Sequence, residues 1–187
     1  MSKTNAVVIY ASKYGTTEAY AKDFATALDL PVCDYHKCPA LAAEPGIEKV
    51  YVFAPIYRRT VAGLPEIAHV FDPDIVERVF VVGMTDPEDK ETIQFLEDQV
   101  HDYMPRASVS LLGGKIDIAK VSTSDKMLLK VMYAFEKRKA MGERTPTEQR
   151  LVEMVESRQT DMTDMTLIEH LLENLQKIKI YGKASKA

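Results

Sequence analysis

The chain has 187 residues, 46% of them hydrophobic, which is enough apolar material for the core of one domain. Acidic and basic residues are mixed and the formal net charge is −4, so the chain lacks the basic field that attracts nucleic acid, and we expect no nucleic-acid partner. No apolar run reaches the ~18 residues of a membrane span, and no signal-peptide core follows the first residues. We therefore expect a cytoplasmic protein in which residues 1–187 form a single domain.

Strand-like runs rich in Val, Ile, Tyr and Phe alternate with runs of helical period, which is typical of βαβ units and of a parallel sheet. Strands are predicted at 5–10, 31–34, 49–54, 78–84 and 108–114. Helices are predicted at 17–28, at 64–71, from the N-cap Asp86 with a buried stripe that ends at Tyr103, at 125–141, around 151–155 and at 164–179. This alternation predicts an α/β protein with five parallel strands.

The loop after the first strand is rich in hydroxyl groups. Its residues, Ala11 to Thr17, include Ser12, Thr16 and Thr17 around a single glycine, Gly15. Backbone N–H groups and the dipole at the start of the next helix favour an anion there. A Walker loop and a dinucleotide fingerprint both need glycines that this loop lacks. The pattern favours a monophosphate held by side-chain hydroxyls and backbone amides.

Cys33, His36 and Cys38 lie close together in the sequence, which raises the question of a metal site. Two cysteines with one histidine and no second ligand pair make a poor zinc site. We expect two reduced thiols and no metal.

The loops after the third and fourth strands end at the same edge of the sheet as the first loop, where ligands bind in open parallel sheets. Tyr57 can stack on a planar ring, or it can cap the core while Arg58 and Arg59 are solvated. In the next loop, Thr85 and backbone donors can reach the rim of the same ring, or Asp86 can act there only as a helix cap.

Residues 115–163 exceed a five-stranded βα repeat and form a predicted helical insertion. Its helix at 125–141 combines basic residues with an apolar stripe, Leu128, Val131, Met132 and Phe135. Such a helix can lie on an anionic membrane surface, or its stripe can cover the domain's own core. We favour the second interpretation, and the first predicts peripheral membrane contact through 125–141.

The loop Ser12 to Thr17 resembles the FMN phosphate loop of the flavodoxin-like family. Residues 54–58, Ala-Pro-Ile-Tyr-Arg, resemble the family's loop that carries an aromatic side chain against the isoalloxazine ring. More narrowly, the chain is similar to the branch of the family that includes menaquinone-dependent protoporphyrinogen oxidase, whose members carry a long insertion after the fifth strand and then a final helix. The resemblance implies a three-layer α/β/α sandwich, with a five-stranded parallel sheet in the order 2-1-3-4-5 and a helical insertion after strand five.

The same resemblance implies FMN as the cofactor and assigns its contacts. The phosphate would be held by Ser12, Lys13, Tyr14, Gly15, Thr16 and Thr17. One side of the ring would be held by Pro55, Ile56, Tyr57 and Arg58, and the other by Met84, Thr85 and Asp86. The protein orients such a cofactor and tunes its electrostatics, so we expect no catalytic side chain.

The function that the resemblance implies is an FMN-dependent oxidoreductase with a small-molecule or quinone redox partner. It could oxidise protoporphyrinogen or another reduced aromatic substrate with a quinone as acceptor. The alternative is a flavodoxin-type electron carrier without its own substrate, which would normally have a more acidic face. Positive charge from Arg58 and Arg59 near the ring would raise its two-electron potential.

Overall fold

A computed structural model describes residues 5–37, 46–166, 168–170 and 172–173. Its first half contains β1 (Ala6–Tyr10), α1 (Thr16–Leu28), β2 (Val32–Asp34), β3 (Lys49–Tyr57), β4 (Thr60–Val61), α2 (Leu64–Val70), β5 (Val76–Gly83), α3 (Lys90–Tyr103) and β6 (Ser108–Gly113). The insertion that follows contains β7 (Lys115–Asp117), α4 (Thr123–Glu136), α5 (Pro146–Ser157) and β8 (Gln159–Asp161). The described residues from 166 to 173 are helical and form α6.

The main sheet has the strand order β2-β1-β3-β5-β6, with every neighbouring pair parallel. These are the five predicted strands, and their order confirms 2-1-3-4-5 and the α/β fold. β4 is an additional short strand that pairs antiparallel with the end of β3. The predicted third strand is therefore three residues too short, because residues 55–57 continue the strand into this hairpin.

Helices cover both faces of the sheet. On one face, β-strand residues such as Val7 and Val52 pack with Ile67 of α2 and Leu96 of α3. On the other face, Val8, Phe53 and Phe80 pack with Phe24 of α1 and Ile168 of α6. The Phe53 and Phe80 rings are stacked with centroids 4.2 Å apart. Alternate strand residues thus enter opposite cores, as the two-residue period of a strand requires.

The predicted start of the third helix is wrong. α3 begins at Lys90, and its cap is Asp89, whose carboxylate accepts the backbone N–H of Thr92 at 3.1 Å. Asp86 belongs to the turn before it and accepts the N–H of Glu88 at 2.9 Å. Two aspartates three residues apart offer the same capping chemistry, so composition alone could not choose between them. Tyr103, expected to be buried, is 42% exposed.

The insertion enters and leaves the fold through one antiparallel pair of strands, with Lys115 opposite Asp161. Between β7 and β8, the predicted helix at 125–141 ends at Glu136. The predicted patch around 151–155 is a full helix, α5, which Thr145 and Glu148 cap reciprocally. The strands β7 and β8 are only three residues long, too short to show a period, and the sequence analysis predicted only the centre of α5.

The last predicted helix, 164–179, lies only partly within the described residues. Its Ile168 is fully buried against the sheet, and Tyr20 of α1 accepts the backbone N–H of Asp164 at 2.9 Å. Residues 174–179 and Cys38 lie outside the described residues. Among the described residues, no helix is long and apolar enough to cross a bilayer.

Candidate functional site

A cavity of about 600 Å³ lies at the carboxyl edge of the sheet, between the strand-end loops and the insertion. All of the predicted site residues except Gly15 and Asp86 line it. The loops after the first, third and fourth predicted strands, here called the first, second and third loops, therefore meet at one place, as their position after parallel strands predicts. The assignment of each residue to a part of a cofactor stays a prediction.

The first loop opens α1 with free backbone donors. Gly15 is the N-cap residue with φ +92°, and no side chain of the described residues caps the helix. Ser12 Oγ accepts the N–H of Gly15 at 3.1 Å, which closes the loop. The first N–H groups of a helix have no intrahelical partner, so this end of α1 can bind an anion. A Cβ on Gly15 would meet no atom of residues 5–37, 46–166, 168–170 and 172–173 within 4 Å, and thus only its backbone angle requires glycine.

Asp125, a residue of the insertion, holds the first and second loops together. Its carboxylate lies 2.6 Å from Lys13 Nζ, accepts the Tyr57 hydroxyl at 2.5 Å and also accepts the Tyr14 hydroxyl. Its side chain is only 6% exposed. The hydrogen bond from Lys13, followed by those of the two tyrosines, lowers the pKa of Asp125 far below its usual range. Asp125 in turn raises the pKa of Lys13.

Asp125 was not among the predicted site residues. Ser122 and Asp125 form a recognisable helix-start pattern, and Ser122 Oγ accepts the Asp125 N–H at 3.3 Å. That pattern could have placed the start of α4 correctly. It contains nothing to indicate that this carboxylate reaches a loop more than a hundred residues earlier in the chain.

Tyr57 is half-buried and lines the cavity, with cations near its ring. Lys13 Nζ lies 4.1 Å from the ring centroid, and Arg58 Cζ lies 5.1 Å from it. Attraction between a cation and an aromatic face stabilises such contacts. A planar ligand stacked on Tyr57 would therefore lie close to positive charge.

Arg58 and Arg59 form the tip of the β3–β4 hairpin in an unusual backbone conformation. Their φ angles are +53° and +63°, the left-handed values that a tight two-residue hairpin needs and that asparagine and glycine adopt most easily. Gln99 of α3 donates to the Arg59 carbonyl at 2.9 Å and accepts the Val61 N–H at 3.2 Å. Gln99 thus fixes the backbone of the hairpin, which carries two exposed guanidinium groups beside the cavity.

One residue of the loop after β5, Asp86, contacts the insertion and does not line the cavity. Met84 and Thr85 line the cavity, but the Asp86 carboxylate pairs with Arg150 of α5, whose Nε lies 2.9 Å away. The Asp86 N–H also donates to Thr147 Oγ1 at 3.2 Å. Hydrogen bonds from the Glu88 backbone and from Arg150 lower the pKa of Asp86. Asp86 therefore anchors α5, which the sequence analysis did not predict.

The insertion supplies an apolar wall to the cavity. Leu128 and Met132 of α4 and Leu151 and Met154 of α5 line it. Val131 and Phe135 are exposed instead, so the interpretation that the whole α4 stripe covers the domain's own core is wrong for these two residues. The cavity consequently combines a polar, hydroxyl-rich floor at the sheet with an apolar wall, which is typical of sites for amphipathic small molecules.

Comparisons with known proteins identify a family. A model of the flavodoxin domain family matches residues 7–142. The chain resembles a candidate flavoprotein from Bacteroides uniformis, with 17% identity over 67% of this chain and 97% of that one and a TM-score of 0.41. It also resembles the Trp repressor binding protein from Bacillus subtilis, with 16% identity over 58% of this chain and 84% of that one and a TM-score of 0.41. An oxidoreductase from Corynebacterium diphtheriae has 11% identity over 81% of this chain and 97% of that one, with a TM-score of 0.38. No curated protein matches the chain.

Proposed function

Because the chain belongs to the flavodoxin domain family, we propose that it binds FMN in the cavity at the carboxyl edge of its sheet and acts as an oxidoreductase. The observation that carries this proposal is the uncapped start of α1 at Gly15, surrounded by the hydroxyl groups of Ser12, Thr16 and Thr17. A phosphate group would satisfy backbone donors that no side chain satisfies within the part of the chain that the structure describes.

The residues present fit such a cofactor. Residues 12–17 would bind the phosphate, residues 55–58 would lie along one side of the ring, and Met84 and Thr85 would lie along the other. FMN would supply electron transfer in one- or two-electron steps. The chain's own residues orient the ring, and the apolar side chains of α4 and α5 exclude water from one side of the cavity.

For the substrate, we propose a small reduced aromatic molecule with a quinone as electron acceptor, as in the branch that includes menaquinone-dependent protoporphyrinogen oxidase. The apolar wall from Leu128, Met132 and Leu151 supports an apolar substrate. The alternative, a flavodoxin-type electron carrier, needs the ring edge open to a protein partner. Helices α4 and α5 border the cavity, which favours a small molecule over a docked protein.

The first experiment measures the cofactor. Purified protein should be yellow with the absorption of oxidised flavin, or should become so after FMN is added. The double variant Ser12→Ala with Thr16→Ala should weaken FMN binding tenfold or more, because a hydrogen bond to a charged group contributes about 1.5–3 kcal/mol. Riboflavin, which lacks the phosphate, should bind both proteins equally.

The matched control is Thr26→Ala, an exposed hydroxyl on the same helix but away from the loop. It should leave FMN affinity unchanged. A colourless protein that takes up no FMN would overturn the proposal. If FMN binds, two anaerobic assays decide between the enzyme and the electron carrier. Oxidation of protoporphyrinogen with a quinone acceptor would indicate the enzyme. Reduction of a protein acceptor such as cytochrome c, without that oxidation, would indicate the electron carrier.

A further inference from the structure

A row of large apolar side chains lies exposed on the outer face of α4. Met127, Val131 and Phe135 are 70%, 61% and 62% exposed. Their four-residue spacing places them on one side of the helix. Single exposed apolar residues are common, but grouped ones mark an interaction surface. We call these three residues the apolar ridge.

Cations flank the apolar ridge. Lys126 and Lys130 lie along one side of α4 and, with Arg158, line a shallow groove of about 560 Å³ between the insertion helices and the β7–β8 pair. Arg138 follows just after the helix. Within the described residues, Lys130, Arg138 and Arg158 form no ion pair. The groove's acidic residue, Asp117, lies 3.4 Å from Lys120.

This basic charge lies on a chain whose net charge is −4. Cations are therefore concentrated beside the apolar ridge, although the molecule as a whole is acidic. The combination of an apolar row with flanking free cations is typical of helices that lie in the plane of a membrane interface. There the apolar side chains enter the acyl boundary and the cations meet anionic headgroups.

From this arrangement, we propose that the outer face of α4 docks on an anionic lipid surface. A second copy of the chain is a poorer occupant, because a stable protein interface takes about 20–30 residues a side and the ridge offers three apolar side chains. A bilayer has no such minimum area. The opposite face of α4 lines the cavity, so docking would bring the cavity within one helix diameter, about 10–12 Å, of the lipid.

The proposal is tested by flotation of the full-length protein with vesicles of phosphatidylcholine alone or mixed with phosphatidylglycerol. We expect flotation only with the anionic vesicles, and less of it as salt is raised. Lys130→Gln with Arg138→Gln should weaken binding about thirtyfold, since each basic residue near the surface contributes about 1 kcal/mol and 1.4 kcal/mol corresponds to tenfold.

Phe135→Glu should abolish flotation, whereas Tyr103→Glu should not. Tyr103 is also an exposed aromatic residue, but it lies on α3, outside the ridge. Thermal unfolding of both variants checks that the fold is kept. Three results would overturn the proposal: no flotation of the unchanged protein, equal flotation of the two variants, or a concentration-dependent dimer that Phe135→Glu dissociates. None of these readouts depends on a flavin, so the test of lipid binding is independent of the proposed function.

Discussion

Asp125 shows how much a single carboxylate can organise. Its oxygens contact Lys13, Tyr14 and Tyr57, which come from two different loops. Without the carboxylate, a lysine and two phenols would lose their shared acceptor. The positions of all three depend on a helix that belongs to the insertion, so the insertion shapes the floor of the cavity as well as its wall.

The variant Asp125→Asn should therefore lower the free energy of unfolding by about 1–3 kcal/mol at neutral pH, because charged hydrogen bonds are lost. Urea unfolding measures this. Since folding lowers the pKa of Asp125, its contribution is present above the unfolded pKa of about 3.9 and is lost as the pH falls further. The difference between the two proteins should narrow below about pH 4.

The control for this prediction is Asp23→Asn, which removes an exposed carboxylate on α1. Its stability should stay within about 0.5 kcal/mol of the unchanged protein, as is usual for surface substitutions. The role assigned to the charge would be contradicted if Asp125→Asn and the unchanged protein differed in free energy of unfolding by the same amount at every pH.

The charges of Arg58 and Arg59 should raise the two-electron potential of the proposed cofactor. Reversing both charges with Arg58→Glu and Arg59→Glu should lower its two-electron potential, because cations beside the cavity favour added negative charge. Both side chains are exposed, so solvent screens them and the shift should be modest, roughly 20–40 mV.

Spectroelectrochemical titration of the FMN-loaded protein measures this shift. Arg106→Glu is the control, since Arg106 pairs with Asp74 near the opposite end of the sheet, at 3.2 Å. An equal potential in the unchanged protein, the double variant and Arg106→Glu would contradict the prediction that the hairpin raises the potential of the cofactor.

At the level of single residues, the sequence indicated which side chains meet in the cavity but not what holds them. Ser12, Thr16, Tyr57 and Thr85 could be predicted because each lies at or just after the carboxyl end of a strand of a parallel sheet. Asp125 could not, because its partners lie far away in sequence and its helix carries no period that points to them.

At the scale of elements, β6 and the segment before α6 pack unusually closely. A Cβ on Gly113, the last residue of β6, would overlap the carbonyl of Met162. Gly113 also accepts the Tyr20 hydroxyl through its own carbonyl at 3.0 Å. The end of this strand thus brings together α1, the sheet and the chain that leaves the insertion.

The substitution Gly113→Ala should consequently lower the free energy of unfolding by about 1–3 kcal/mol, the usual cost of overpacking. Gly142→Ala is the matched control, because a Cβ there would have no atom of the described residues within 4 Å. Denaturant unfolding of the two variants measures the difference. Equal stability would mean that the backbone at Met162 can move aside at no cost.

Elements with strong periodicity were the predictable ones. β1, β3 and β5 are rich in Val and buried on both faces, and α1 has a clear apolar stripe. The start of α3 was misplaced because two aspartates compete as caps. The length of α5 was underestimated because Thr145 and Glu148 mark its start and Asp86 holds its side chain Arg150, which a hydrophobic pattern does not reveal.

For the whole molecule, the sheet could be predicted and the placement of the insertion could not. Hydrophobic patterns specify which strands exist, and topology rules then limit their arrangement. The position of α4 and α5 over the sheet edge depends on polar contacts such as those of Asp86 and Asp125. Those contacts join residues separated by more than sixty positions, and no local pattern records them.

The antiparallel pairing of β7 with β8 has a consequence for how the insertion is attached to the fold. Because Lys115 lies opposite Asp161, the segment between them begins and ends at neighbouring points, about 5 Å apart in a paired strand. A stretch with adjoining ends can be inserted or removed while the remaining scaffold keeps its connectivity. The helical cover of the cavity therefore joins the chain at a single point of the fold, and its other attachments are side-chain contacts such as those of Asp86 and Asp125.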